Sequence, residues 1–364
     1  MKIEEICRYL DEKIPPALQE NYDNCGVQAG NTGDEATAAL ITIDVNEEVL
    51  TEAVSKDCNL VISHHPLIFS PLKSLAGNSP VQRAVMAAIR NGITVYTAHT
   101  NLDSVKGGVS YIMASKMGLK KLEVLAPLRE KLVKLVTFIP HSHSGEVKEA
   151  LFRAGAGKIG NYDSCGYSLS GEGTFRGNED ASPFTGEPGK LHAEPEIRFE
   201  TIIPSFAVAA AVKALLQAHP YEEPAFDLYP VLNEWKEAGM GVTGVLDNEI
   251  DEKGFLELCS TVFSPVCLRH TRLRNKPVRK VALCGGAGGD LLKHAIASGA
   301  DAFVTADLKY HQFAQAEEEI FLVDPGHYET EKFSVEIIHD LLIKKFPNFA
   351  LRFSETGTNP INCY

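Results

Sequence analysis

The sequence predicts an α/β protein in which a mainly parallel sheet is built from both ends of the chain, with an α+β unit inserted between them. Three observations carry this. Near each end, short apolar runs alternate with amphipathic stretches of helical period, the pattern of βαβ units whose strands are buried on both faces. In the middle, the order of elements changes to strand, helix, strand, strand, helix, strand. The length of 364 residues also exceeds what one hydrophobic core usually fills, so two domains are expected.

Taken in order, MKIEEICRYLDEK opens the chain as an amphipathic helix. ATAALITIDV (Ala36 to Val45) reads as a strand, NEEVLTEAVSK as a helix, CNLVISH as a strand, SPVQRAVMAAIRNG as a helix and ITVYTAH as a strand. In the last third, VRKVALCGG is a strand, DLLKHAIASGA a helix, AFVTAD and EIFLVD strands, and YETEKFSVEIIHDLLIKKF one long closing helix. Between these portions KLVKLVTFIP, GYSLSGEGTFR, EPEIRFETIIP and AFDLYPVL read as strands, and SGEVKEALFRAG and SFAVAAAVKALLQAH as helices. That β-α-β-β-α-β order is ferredoxin-like. It sets the inserted domain at 130–233 and the discontinuous α/β domain at 1–129 and 234–364. GNEDASPFTGEPG, rich in glycine, proline and acids, is a surface loop of the insert.

Composition narrows the function. Hydrophobic residues make up 44%, enough for a folded core, and no apolar run is long enough to span a bilayer. The N-terminal stretch carries acids in a helical pattern and lacks the features of a signal peptide, so the expected location is the cytoplasm. With 35 basic and 48 acidic side chains the net charge is −13, which disfavours general nucleic-acid binding and favours small ligands. The 8 cysteines are scattered without a C-x-x-C pair, so neither a disulfide scaffold nor a thiolate zinc site is signalled.

Ligands of open α/β sheets bind at the carboxyl ends of strands, so polar residues just after apolar runs are the candidates. ISHHP offers His64 and His65, with Pro66 ending the strand's donor pattern. For a histidine pair alone, a satisfied strand-end turn is the simpler role. YTAHTNLDS offers His99, Asn101 and Asp103, and for Asn101 or Asp103 alone a helix cap is the simpler role. LVDPGHYETEKF places His327 and Glu331 at i,i+4 on one helical face, the spacing by which a helix presents two ligands to one metal, though a surface His–Glu pair has the same spacing.

Together these segments bring imidazoles and carboxylates to corresponding strand ends, a donor set that suits Zn, Fe, Mn or Ni. His64, His65, Asp103, His327 and Glu331 exceed what one open catalytic zinc needs and leave two metals unsaturated. With Asp103 or Glu331 bridging, they suit two divalent cations about 3.5–4 Å apart.

ISHHP, TAHTNLD, CGGAGGD, TADLKYH and GHYETE, in this order, resemble the signature blocks of the Nif-three-like family, also called the GTP cyclohydrolase 1 type 2 family. ENYDNCGVQAG (Glu20 to Gly30) resembles its N-terminal block, and the likeness spans about two thirds of the chain, in both α/β portions. It implies a Nif-three-like domain whose dinuclear metal ligands fall on His64, His65, Asp103, His327 and Glu331. The insert resembles the PII/CutA-like domain of longer bacterial members, HPYEEP (His219 to Pro224) being similar to a CutA block. Members with that insert form hexameric toroids, so the resemblance also implies a homohexamer.

The remaining candidates carry less. CGGAGGD fits neither the P-loop nor the full dinucleotide fingerprint, so a tight strand-to-helix turn is its expected role. Lys309, Tyr310 and His311 offer a phosphate-binding cation, a stacking ring and a proton carrier for a nucleotide, or simply an exposed helix start. His99 reads as an orienting residue behind the ligands. His219 reads as structural, and His141 and His143 as loop residues. The functional expectation is a metal-dependent hydrolase of a nucleotide-like small molecule, similar to a GTP cyclohydrolase, with Glu331 or His311 carrying protons in catalysis. Two alternatives use the same site: a metal carrier, insertase or regulatory protein, and a phosphoesterase.

Overall fold

The computed structural model describes residues 1–363. The chain forms two compact units, one made of Met1–Pro127 with Glu237 onward, the other of Leu128–Lys236. The sequence pattern places the insert at 130–233, and the compact unit runs a few residues farther at each end.

The discontinuous unit contains two sheets where the pattern pointed to one. In the first, the strand order is Gly26–Ala29, Thr94–Thr97, Leu60–Ser63, Ala39–Thr42, Leu351–Phe353. The last four run parallel, and Gly26–Ala29 is antiparallel at the edge. The three central strands are buried at every position, as parallel strands covered on both faces must be. Alternation decides which core each residue joins. Leu40, Val61 and Val95 pack under the helices Glu47–Ser55 and Pro80–Arg90, while Ile41, Ile62 and Tyr96 face the opposite way. Both helices start on side-chain caps: Asn46 accepts from Val49 N–H, and Ser79 accepts from Gln82 N–H with Pro80 in the first turn.

The second sheet has the order Arg269–His270, Phe321–Asp324, Ala302–Val304, Val278–Leu283, Trp235–Ile250, Lys120–Leu128. Its three central strands, from Phe321–Asp324 to Val278–Leu283, are parallel, with antiparallel partners on either side. Val281, Leu283, Val304, Phe321 and Val323 share one core with Ile41, Ile62 and Tyr96, so the largest core of this unit lies between its two sheets. Trp235–Ile250 escapes sequence reading because Gly239, Gly241 and Gly244 interrupt its apolar pattern. Close pairing requires at least one of them: a Cβ on Gly239, at φ +152, would lie 2.2 Å from the Ala126 carbonyl oxygen.

The expected long closing helix is instead two helices, His327–Glu331 and Ser334–Lys345. At the break the Thr330 hydroxyl donates back to the carbonyls of Gly326 and His327, and Lys332 Nζ reaches the Phe263 carbonyl. Phe333 then buries against Phe263.

The second unit is a four-stranded antiparallel sheet of order Gly166–Phe175, His192–Pro204, Leu132–Pro140, Phe226–Val231. The helices Ser144–Arg153 and Val208–Ala218 cover it through a core of Leu135, Ile139, Val147, Leu151, Phe199, Ile203, Ala211 and Leu215. Among the described residues, no helix is long and apolar enough to cross a membrane.

Candidate metal centre

His64 and His65 leave the end of Leu60–Ser63 while their backbone still pairs with the next strand: their N–H groups donate to the carbonyls of Thr42 and Ile43. The chain turns there, with the Ser63 hydroxyl closing onto the His65 carbonyl at 2.8 Å. Both imidazoles therefore reach one side, their ring centroids 5.2 Å apart. Two residues past Thr94–Thr97, His99 leads into the short helix Thr100–Ser104, which carries Asp103. Asn101 braces that entry, its Oδ1 accepting from His99 N–H and its Nδ2 donating to the Ile14 carbonyl. From the second sheet, Phe321–Asp324 runs into Pro325 and Gly326, and the helix His327–Glu331 brings its i,i+4 pair to the same place.

Glu331 Oε2 is the meeting point. It lies 2.8 Å from His65 Nε2, 2.9 Å from His327 Nε2 and 3.7 Å from His64 Nε2. The structure thus brings His64, His65 and Glu331 into one ligand-forming cluster, with His327 and Asp103 around it. Asp103 Oδ1 is 3.8 Å from His64 Nε2, beyond hydrogen-bond reach.

Behind each ring, the other nitrogen is fixed. His64 Nδ1 is 2.8 Å from the Ala98 carbonyl, His65 Nδ1 2.7 Å from Asp44, His327 Nδ1 2.8 Å from Asp307, and His99 Nδ1 2.8 Å from Asp23. This is how proteins orient metal-binding histidines, with an acceptor on one nitrogen and the other nitrogen aimed at the ion. His99 packs edge-on to both His64 and His65 at 5.4 Å between centroids. Sequence reading missed Asp23, Asp44 and Asp307. Each follows or faces a strand end, in ENYDN, ITIDV and TADLK, and that position is the one signal that marks them.

The electrostatics follow from burial and proximity. Burial opposes charge on His65 and His327, but hydrogen bonds to Asp44 or Asp307 and to Glu331 outweigh it and raise them to about 9 and about 11. Glu331 is held well below the usual carboxylate range, the surrounding histidines overcoming its burial. Asp103 moves the other way: burial, with the Glu331 charge, raises it to about 6 against the pull of His64.

The donor set fits a divalent cation by a direct criterion. Among the described residues, His64 Nε2 and Asp103 Oδ1 are buried with no hydrogen-bond partner, a costly condition that a cation accepting both would relieve. The glycine turn is shaped around the same group. Gly286 sits at φ +58, and a Cβ there would be 2.0 Å from Glu331 Oε1. Thr330 and Thr305 hydroxyls accept from Gly286 and Gly288 N–H, so these amides hold the turn.

Lys309, Tyr310 and His311 are exposed at the start of the helix Tyr310–Ala316, and none hydrogen-bonds to the cluster. His219, in the second unit, has Nε2 on the Phe138 carbonyl at 2.9 Å and Nδ1 accepting from Tyr221 N–H. Both its nitrogens are thereby satisfied.

A family model described as Duf34/NIF3 (NGG1p interacting factor 3) matches residues 1–360. A protein of Halalkalibacterium halodurans called GTP cyclohydrolase 1 type 2 homolog is 40% identical over 324 residues, covering 88% of this chain and 87% of its own. A Bacillus subtilis protein of the same name is 37% identical over 364 residues, covering 98% and 97%. The crystal structure of a Bacillus cereus protein related to NIF3 superposes with a TM-score of 0.86 at 36% identity, covering 100% of this chain and 99% of that one.

Proposed function

We propose that this chain, which belongs to the Duf34/NIF3 family, is a dinuclear metal-dependent hydrolase of a nucleotide-like small molecule. The observation that carries the reading is the convergence of three Nε2 atoms on Glu331 Oε2 beside the unpartnered His64 Nε2 and Asp103 Oδ1. His64, His65, Asp103, His327 and Glu331 would hold two divalent cations, with Zn, Fe, Mn and Ni all suited to the donors. Cations there supply Lewis acidity toward an electrophilic carbon or phosphorus.

The chain's own residues do the positioning. Asp44 and Asp307 orient the imidazoles of His65 and His327, and Asp23 holds His99 edge-on against His64 and His65. Lys309, Tyr310 and His311, exposed at a helix start, are available to phosphate, base and proton of a nucleotide. GTP is the first substrate to try because the relatives are called GTP cyclohydrolase 1 type 2 homologs. The order of the second unit, with its outer helices and antiparallel sheet, supports reading it as ferredoxin-like and PII/CutA-like. With the family resemblance it supports a homohexamer, which sedimentation of the intact chain tests.

A second reading, metal handling, is favoured by the partial exposure of His65 and His327, 24% and 29%, which leaves the cluster open to exchange. One experiment separates the two. Elemental analysis of protein purified without chelator, then mass spectrometry after incubation with GTP, gives about two metals per chain and a ring-opened product with formate if the hydrolase reading holds. Release of phosphate without ring opening moves the reaction to hydrolysis at phosphorus, read in this assay as cleavage of a GTP phosphoanhydride bond, and favours the phosphoesterase alternative over the cyclohydrolase. Intact GTP together with rapid metal transfer to a chelator overturns the hydrolase reading in favour of the carrier.

A further inference from the structure

The segment after the strand Leu351–Phe353 is pinned along its length. Ser354 N–H donates to the Ile41 carbonyl at 2.9 Å, extending the parallel pairing with Ala39–Thr42. Glu52, on the helix Glu47–Ser55, then gathers a cluster of donors. Its Oε2 accepts from Ser354 Oγ at 2.6 Å and from Thr356 Oγ1 at 2.7 Å, and its Oε1 from Glu355 N–H at 2.8 Å and Lys56 Nζ at 2.7 Å. Burial disfavours the ionised form of Glu52, but these donors prevail and lower it to about 2. A carboxylate saturated in this way fixes a course of backbone, unlike a pair of mobile surface charges.

Farther on, Thr358 lies beside Asp44, the carboxylate that orients His65. Asn359 Nδ2 donates to Glu329 Oε1 at 3.1 Å. Glu329 is buried in the short helix between His327 and Glu331. The metal site is itself split. His64, His65 and Asp103 come from the ends of the five-stranded sheet, and His327 and Glu331 from the helix after a strand of the six-stranded sheet. The segment touches a supporting group on each side of that division.

We infer that residues Ser354–Asn359 are a strap that holds the two halves of the metal site in register, with Glu52 as its anchor and Asn359 as its far fastening. The inference rests on the metal-site reading above. No strap residue is a ligand; each is a positioning residue, acting through Asp44 or through the helix that carries His327 and Glu331. Loss of a contact made directly to a ligand costs metal affinity about tenfold to a hundredfold, and the strap, one contact farther out, falls at the lower end of that range.

Cobalt(II) is the probe, because its visible absorption reports coordination geometry as well as occupancy. The full chain, Asn359→Ala, Glu52→Gln and His64→Ala are each titrated with Co2+ and then competed against a chromophoric chelator. Asn359→Ala and Glu52→Gln are expected to bind about tenfold more weakly with an altered visible band. Their metal-free unfolding temperatures should fall less than their cobalt-loaded ones, which a purely structural contact would not produce. Unchanged affinity and spectrum in Asn359→Ala overturns the strap, and because Asn359 is partly exposed this variant decides if Glu52→Gln fails to fold. Cobalt binding that survives unchanged in His64→Ala overturns the site itself, a result distinct from loss of the strap alone.

Discussion

The Nε2 atoms of His65 and His327 lie 3.4 Å apart, and both point at the same oxygen, Glu331 Oε2. Each ring also has its Nδ1 on a carboxylate, Asp44 or Asp307. For both rings to donate at both nitrogens, both must be protonated, which agrees with their elevation to about 9 and about 11. Two like charges this close are tolerated because three carboxylates surround them. A divalent cation replaces those protons with its own charge and needs bare Nε2 atoms.

Metal uptake at neutral pH should therefore release about two protons per chain, measured by calorimetry in buffers of different ionisation enthalpy. Uptake with no proton exchange would show that the rings are already neutral.

The same shifts set the stability of metal-free protein. A histidine raised from 6.5 stabilises the fold fully below that pH, and its contribution disappears as pH rises through the folded value, about 9 for His65 and about 11 for His327. Metal-free protein should lose unfolding temperature as pH climbs above 6.5 toward about 9, while metal-loaded protein holds its own. Thermal melts with and without chelator across that range check the sign.

Asp44→Ala and Asp307→Ala are expected to weaken metal binding by about tenfold to a hundredfold, since each removes the acceptor that orients one ring. Asp23→Ala should cost less, because it acts on His99. Chelator competition on the three variants ranks them, and equal affinities would mean that the rings are held by packing alone.

Gly286→Ala should damage the site without replacing a ligand. The left-handed backbone costs an L-residue about 1–2 kcal/mol, and the new methyl would fall on Glu331 Oε1. Reduced metal content together with a lower unfolding temperature is the expected result.

His219→Ala is the control in the other unit. It leaves the Phe138 carbonyl and Tyr221 N–H without their partner, at a cost of about 1–3 kcal/mol, and metal per chain should not change. Loss of metal there would mean a second site.

By itself the sequence determined what local pattern can encode. Runs such as CNLVISH and ITVYTAH mark buried parallel strands, because burial on both faces leaves no polar position until the strand ends. It also determined which residue types stand at those ends, among them the candidate ligands His64, His65, Asp103, His327 and Glu331, of which the fold gathers His64, His65 and Glu331 into one cluster. Tertiary structure alone decided the division of the first unit into two sheets, the break between Glu331 and Ser334, and the pairing of each imidazole with its own acceptor. The physical reason is range. Periodicity reports whether a side chain is buried, but His65 meets Glu331 across 266 positions and Asn359 reaches Glu329 only where the folded chain returns to the sheet edge. No local preference distinguishes Asp44 or Asp307 from any other aspartate at the end of a strand until the opposing histidine is in place.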